Sequence, residues 1–135
     1  MAADRGAKAE YIGGTVAELP SKTGGRLILT DPASLLFSCG SRTVRVRYED
    51  IEILEYGQRV NRRYVEAVVI SPLLLLAKKR KHFLTIGYQD AEGVRHSMVF
   101  RVDKDDVRVV LAGLEARTGR RVEYQDEEAR KSGKG

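Results

Sequence analysis

Three side chains in this 135-residue sequence have the chemistry of a nucleophile or its base: Cys39, His82 and His96 are its only thiol and imidazoles. A thiolate beside an imidazole can attack a carbonyl, but here the partners are far apart in sequence and must be brought together by the fold. None of them falls in a G-x-S-x-G, H-E-x-x-H, P-loop or paired-cysteine pattern. As metal ligands the three have no usable spacing. A lone cysteine at the end of an apolar run reads as a small buried hydrophobe. The sequence therefore predicts no catalytic residue, no metal site, no cofactor and no small-molecule substrate, and the chain is expected not to be an enzyme.

A second kind of chemistry is concentrated in one place. In "NRRYVEAVVISPLLLLAKKRKHFLTI" an aliphatic run lies between two clusters of positive charge. Arg59, Arg62, Arg63, Lys78, Lys79, Arg80 and Lys81 face a single acid, Glu66, so residues 58–81 carry +6 and the rest of the chain −1 of the total +5. Leu73, Leu74, Leu75 and Leu76 cannot all point into one interior from a single helix. Three uses fit such a segment. As core it would cover an open end of the domain; as an interface it would pack against a second copy or another protein. As a membrane contact the leucines would enter the acyl boundary while the cations meet anionic headgroups. The preferred expectation is docking, with the four leucines as apolar anchor and the seven cations as a basic flank. The partner is then an anionic lipid surface or a protein, and the alternative is a homo-oligomer with a leucine-lined dimer seam. Nucleic acid fits less well, because the residues between the cations are aliphatic rather than aromatic or polar.

The elements that must hold this segment are mostly strands. Residues 10–53 consist of short Val-, Ile-, Leu- and Tyr-rich runs separated by Gly, Pro, Ser and Asp, the pattern of an antiparallel meander. Strands are predicted over 11–19, 26–30, 34–39, 43–48 and 51–57, then over 82–89 and 94–102 with a hairpin turn at "DAEG". The pair Gly13 and Gly14 reads as a bulge where the sheet bends. After residue 102 the period lengthens: Val107, Val110, Leu111 and Leu114 form one helical stripe. The acidic run 103–106 is placed to cap that helix, Arg117 lies in its last turn, and Gly119 is placed for a left-handed C-cap. Within the insert, Ser71 and Pro72 suit a helix start for 72–81, whereas 64–70 fits a strand or a helical turn equally well.

Seven short strands followed by one amphipathic helix resemble the pleckstrin-homology superfold, and "VRVRYEDIEILEYG" is similar to the strand, acidic turn and strand of its bacterial and GRAM-type members. "KKRKHFLTIGYQDAEG" and "LEARTGRRVEY" also resemble a small group of bacterial proteins of this size, which bring no activity with them. The resemblance implies a mainly β fold: a seven-stranded antiparallel barrel of two orthogonal sheets, a closing C-terminal helix, and a long insert, 58–81, between strands 5 and 6. It also implies an inositol-phosphate pocket in the loop between the first two strands, where "PSKTGGR" supplies only Lys22 and Arg26.

With 42% hydrophobic and 32% charged residues the chain suits one domain. Residues 10–124 are expected to form it, with polar tails at 1–9 and 125–135 that lack an apolar period and are expected to be disordered. No stretch reaches the roughly 20 apolar residues that cross a bilayer. As it stands the chain is expected to be soluble, cytoplasmic, or exported if a signal peptide once preceded "MAAD".

Overall fold

The computed structural model describes residues 6–15, 23–58 and 82–125. Its architecture is mainly β with one helix. Four strands run first: β1 (Ala7–Gly14), β2 (Thr23–Ile28), β3 (Ser34–Cys39) and β4 (Arg42–Arg47). A 3-10 turn (Tyr48–Asp50) leads to β5 (Ile51–Gly57), and β6 (Phe83–Gln89) and β7 (Arg95–Val102) follow. Helix α1 (Val107–Thr118) and a two-residue β8 (Glu123–Tyr124) complete the described chain. The strands form one hydrogen-bonded sheet in the order β4-β3-β2-β1-β7-β6-β5-β8. Neighbours are antiparallel except β5 and β8.

The alternation of each strand places one set of side chains inward. Tyr11, Phe37, Val46, Leu54, Tyr56, Leu84, Ile86, Met98 and Phe100 share one buried cluster with Val107, Val110, Leu111 and Leu114 of α1. Val46 on one edge strand and Leu54 near the other edge belong to the same cluster, so the sheet must curl until its two ends address one core. Phe100 is its centre, with ring centroids 4.9 Å from Phe37 and 5.8 Å from Tyr11.

Helix α1 keeps the predicted stripe and the predicted stop. Gly119 has φ +71 and its N–H donates to the Glu115 carbonyl, a left-handed cap that an L side chain resists. The start differs. Asp106 occupies the cap position without a side-chain cap bond, because its carboxylate accepts the Lys8 N–H instead.

Several boundaries move for physical reasons. β1 begins at Ala7, inside the predicted 1–9 tail, because Ala7 and Ala9 pair with Leu27 and Val102 across two ladders. β2 starts at Thr23, not at 26, so Gly24 and Gly25 lie in a strand and not in a turn. A side chain at Gly25 would meet the Ser38 carbonyl at 2.3 Å and the Phe37 ring at 3.0 Å; the glycine lets Phe37 fold across the sheet. The predicted bulge in β1 is present as a register shift between Tyr11 and Gly13. β8 is an eighth strand that sequence periodicity missed, two residues being too short to show a period.

Candidate binding groove

The sheet's outer surface, opposite the core, is where charge collects. Lys8 and Arg26 are direct cross-strand partners of β1 and β2, and both are exposed. Like charges placed opposite one another repel, and among the described residues neither is within ion-pair distance of a carboxylate. Glu10 of β1 pairs with Arg101 of β7 in register, with Arg101 Nε 3.8 Å from the carboxylate. Beyond them the turn from β7 into α1 brings Lys104 to the same place.

These residues line an open groove of about 810 Å³. Its floor is low because Gly24 and Gly40 carry no side chains and face open space. One end is closed by Asp103, whose N–H donates to the Lys8 carbonyl and whose carboxylate accepts the Asp105 N–H. Arg26 Nη1 donates to the Gly6 carbonyl at 3.4 Å. The ammonium groups of Lys8 and Lys104 have no carboxylate within ion-pair distance among the described residues. The groove therefore presents two uncommitted cations and one lightly held guanidinium to solvent.

His82 lines the same groove. Its ring lies parallel to that of Tyr56, 5.9 Å away, and Tyr124 packs edge-on against Tyr56 at 6.1 Å. The Tyr56 hydroxyl and His82 Nδ1 are hydrogen-bonded to one another. Burial pushes the His82 pKa below the usual imidazole value, since a desolvated ring resists protonation. The Val102 N–H donates to the His82 carbonyl, which holds the start of β6 against β7.

His96 has a different setting. The Thr15 hydroxyl can donate to His96 Nδ1 at 3.2 Å, and His96 Nε2 to Asp90 at 2.8 Å. Hydroxyl, imidazole and carboxylate in that order are the parts of an activated nucleophile, yet the hydroxyl and the carboxylate are also tied to backbone. The Thr15 hydroxyl accepts the Ser97 N–H, and the Thr15 N–H donates to the Ser97 carbonyl. Asp90 accepts the N–H groups of Glu92 and Val94 in the hairpin turn. The His96 hydrogen bond, followed by these turn bonds, holds the Asp90 carboxyl below the usual range. Tyr88 stacks on His96 at 5.4 Å. The set braces the β6–β7 hairpin to β1.

Cys39 is buried at the end of β3, while the bonds of both histidines go to Tyr56, Thr15 and Asp90. Among the described residues no group of three His, Cys, Asp or Glu side chains is arranged to hold a metal ion. No described helix is long and apolar enough to cross a membrane. The predicted docking residues, Leu73 to Leu76 with Arg59, Arg62, Arg63 and Lys78 to Lys81, lie outside the described residues, as does Lys22. Of the cations considered from sequence, Arg26 is the one that the groove includes. Lys8, Arg101 and Lys104 were not identifiable beforehand, because only strand register brings them together. No family model matches the chain, and no curated protein matches it.

Proposed function

We propose that this chain is a non-catalytic binding module of pleckstrin-homology-like build that docks on anionic membrane surfaces. The carrying observation is the groove: the cations Lys8, Arg26, Arg101 and Lys104 line it beside the acids Glu10, Asp103 and Asp105, and it reaches His82, which directly follows Lys78, Lys79, Arg80 and Lys81 in the sequence. The pleckstrin-homology-like reading is supported by two antiparallel meanders, β1 to β4 and β5 to β7, joined through β1 and β7, and by a helix after the last meander strand that enters the common core. The backbone commitments of Thr15 and Asp90 and the burial of Cys39 support a non-catalytic role.

In this mechanism phosphate headgroups meet the groove cations and the basic flank of residues 58–81, while Leu73, Leu74, Leu75 and Leu76 supply apolar anchorage. A basic residue near an anionic surface contributes about 1 kcal/mol. Removing two of them should weaken binding by roughly 30-fold, more with charge reversal. The test is flotation with phosphatidylcholine vesicles, with and without phosphatidylserine, at low and high salt. Wild type should float only with anionic vesicles and lose binding as salt rises; Lys8→Glu with Lys104→Glu should lose most of it. A concentration-independent monomer in light scattering that ignores anionic vesicles would overturn the reading. A dimer that Leu74→Glu with Leu75→Glu dissolves, with no flotation, would replace it with the self-associating alternative.

A further inference from the structure

The groove contains one imidazole, that of His82, and an imidazole is the side chain whose charge ordinarily changes between roughly pH 5 and 8. Tyr56 occupies one side of it: the hydroxyl is bonded to Nδ1, and the phenol ring lies 7° from parallel at 5.9 Å. Nε2 is the nitrogen left to meet a ligand. The charged groups around the ring come from three directions. The turn after β7 supplies Asp103, Lys104 and Asp105, and β7 itself supplies Arg101. Across the groove stand Lys8 and Glu10 of β1 and Arg26 of β2. Four cations against three acids leave the groove with a net charge of only +1 while the ring is neutral. A proton on His82 makes it +2, so a single titration changes the groove's charge by as much as its whole resting excess.

We propose that His82 makes docking through this groove acid-sensitive, an anionic lipid headgroup binding the imidazolium form more tightly than the neutral one. The inference rests on the membrane-docking reading above. The protein by itself favours the neutral ring: burial is the largest influence, Lys104 adds to it, and Asp103 works against it. A phosphate paired with Lys104 reverses that balance, because it offsets the opposing cation and places a second negative charge beside Asp103. The Tyr56 contact does not stand in the way. A hydroxyl can accept as well as donate, so Nδ1–H keeps its partner after protonation while Nε2–H is free to donate to a phosphate oxygen. Arg26 and Arg101 are restrained by the Gly6 carbonyl and by Glu10, which leaves the proton on His82 as the groove's adjustable charge. Coupling is reciprocal: if acid tightens binding, the bound headgroup must raise the His82 pKa.

Flotation of the full chain with phosphatidylglycerol vesicles at fixed ionic strength tests this, since their phosphodiester keeps its charge over the range used. Wild type should bind about 5-fold more tightly at about pH 5.5 than at about pH 7.5, the factor one added basic group confers near an anionic surface. His82→Gln should lose that dependence and keep the affinity of wild type at the higher pH. His96→Gln should retain the dependence, because His96 bonds to Thr15 and Asp90 and not to the groove. On wild type, the NMR titration of His82 should move to higher pH when phosphatidylglycerol bicelles replace phosphatidylcholine bicelles, and that of His96 should stay in place. Equal wild-type affinity at both pH values, an undiminished dependence in His82→Gln, or an unmoved His82 titration would overturn the proposal and leave the docking reading standing. Wild type that floats at neither pH would overturn both.

Discussion

Replacing Val99 with alanine separates a two-sided sheet from a one-sided one. Val99 points away from the core cluster, between Met98 and Phe100, which point into it. On an ordinary antiparallel sheet with one wet face, truncating such a residue changes stability by less than about 0.5 kcal/mol. At 0% exposure the side chain instead loses two buried methyl groups, at about 0.8 kcal/mol for each carbon, plus a share for the small cavity left behind. The expected loss is about 2 kcal/mol. For a chain of this size that corresponds to a fall in Tm of about 8 °C, interpolating between smaller and larger domains. Urea unfolding followed by circular dichroism reads it as a lower midpoint with an unchanged slope. Val109, on the solvent side of α1 and 72% exposed, is the internal control: Val109→Ala should be neutral or slightly stabilising, since alanine is the better helix former. A Val99→Ala loss no larger than the Val109→Ala change would refute the argument.

Two further outcomes follow from particular contacts. His82 has a folded pKa below its unfolded value of about 6.5, so the unfolded chain binds its proton first and stability falls as pH drops below about 6.5. The urea midpoint of wild type should decline through that window relative to His82→Gln, and identical profiles would show that burial does not control this ring. Gly119→Ala should cost about 1 kcal/mol in the same assay, because the left-handed φ of +71 is disfavoured for alanine while its Cβ would meet nothing within 4 Å. A loss near zero would mean that the cap relaxes without strain.

Elements with a period were legible in the sequence. The stripe of Val107, Val110, Leu111 and Leu114 marked α1 because a helix repeats its buried face every 3.6 residues, and Gly119 marked its end. Alternation in "TVRVRY" likewise located β4, with Val46 turned inward and Arg45 and Arg47 outward. β8 was invisible because Glu123 and Tyr124 owe their strand to the open edge of β5, not to their own pattern. Gly24 and Gly25 read as a turn because local propensity counts their freedom, whereas Phe37 needs the lack of a side chain at Gly25.

What the sequence by itself determined is the class of elements and the concentration of positive charge between Gln58 and His82, since both are properties of neighbouring residues. Tertiary structure alone decided that Lys8, Arg26, Arg101 and Lys104 line one groove. It also assigned His82 to Tyr56 and His96 to Asp90, and buried Val99 and Ile12 on the face opposite the core. These depend on register and curvature: pairing brings together residues tens of positions apart in the chain, and a shift of one residue would turn each of them to the other side of the sheet.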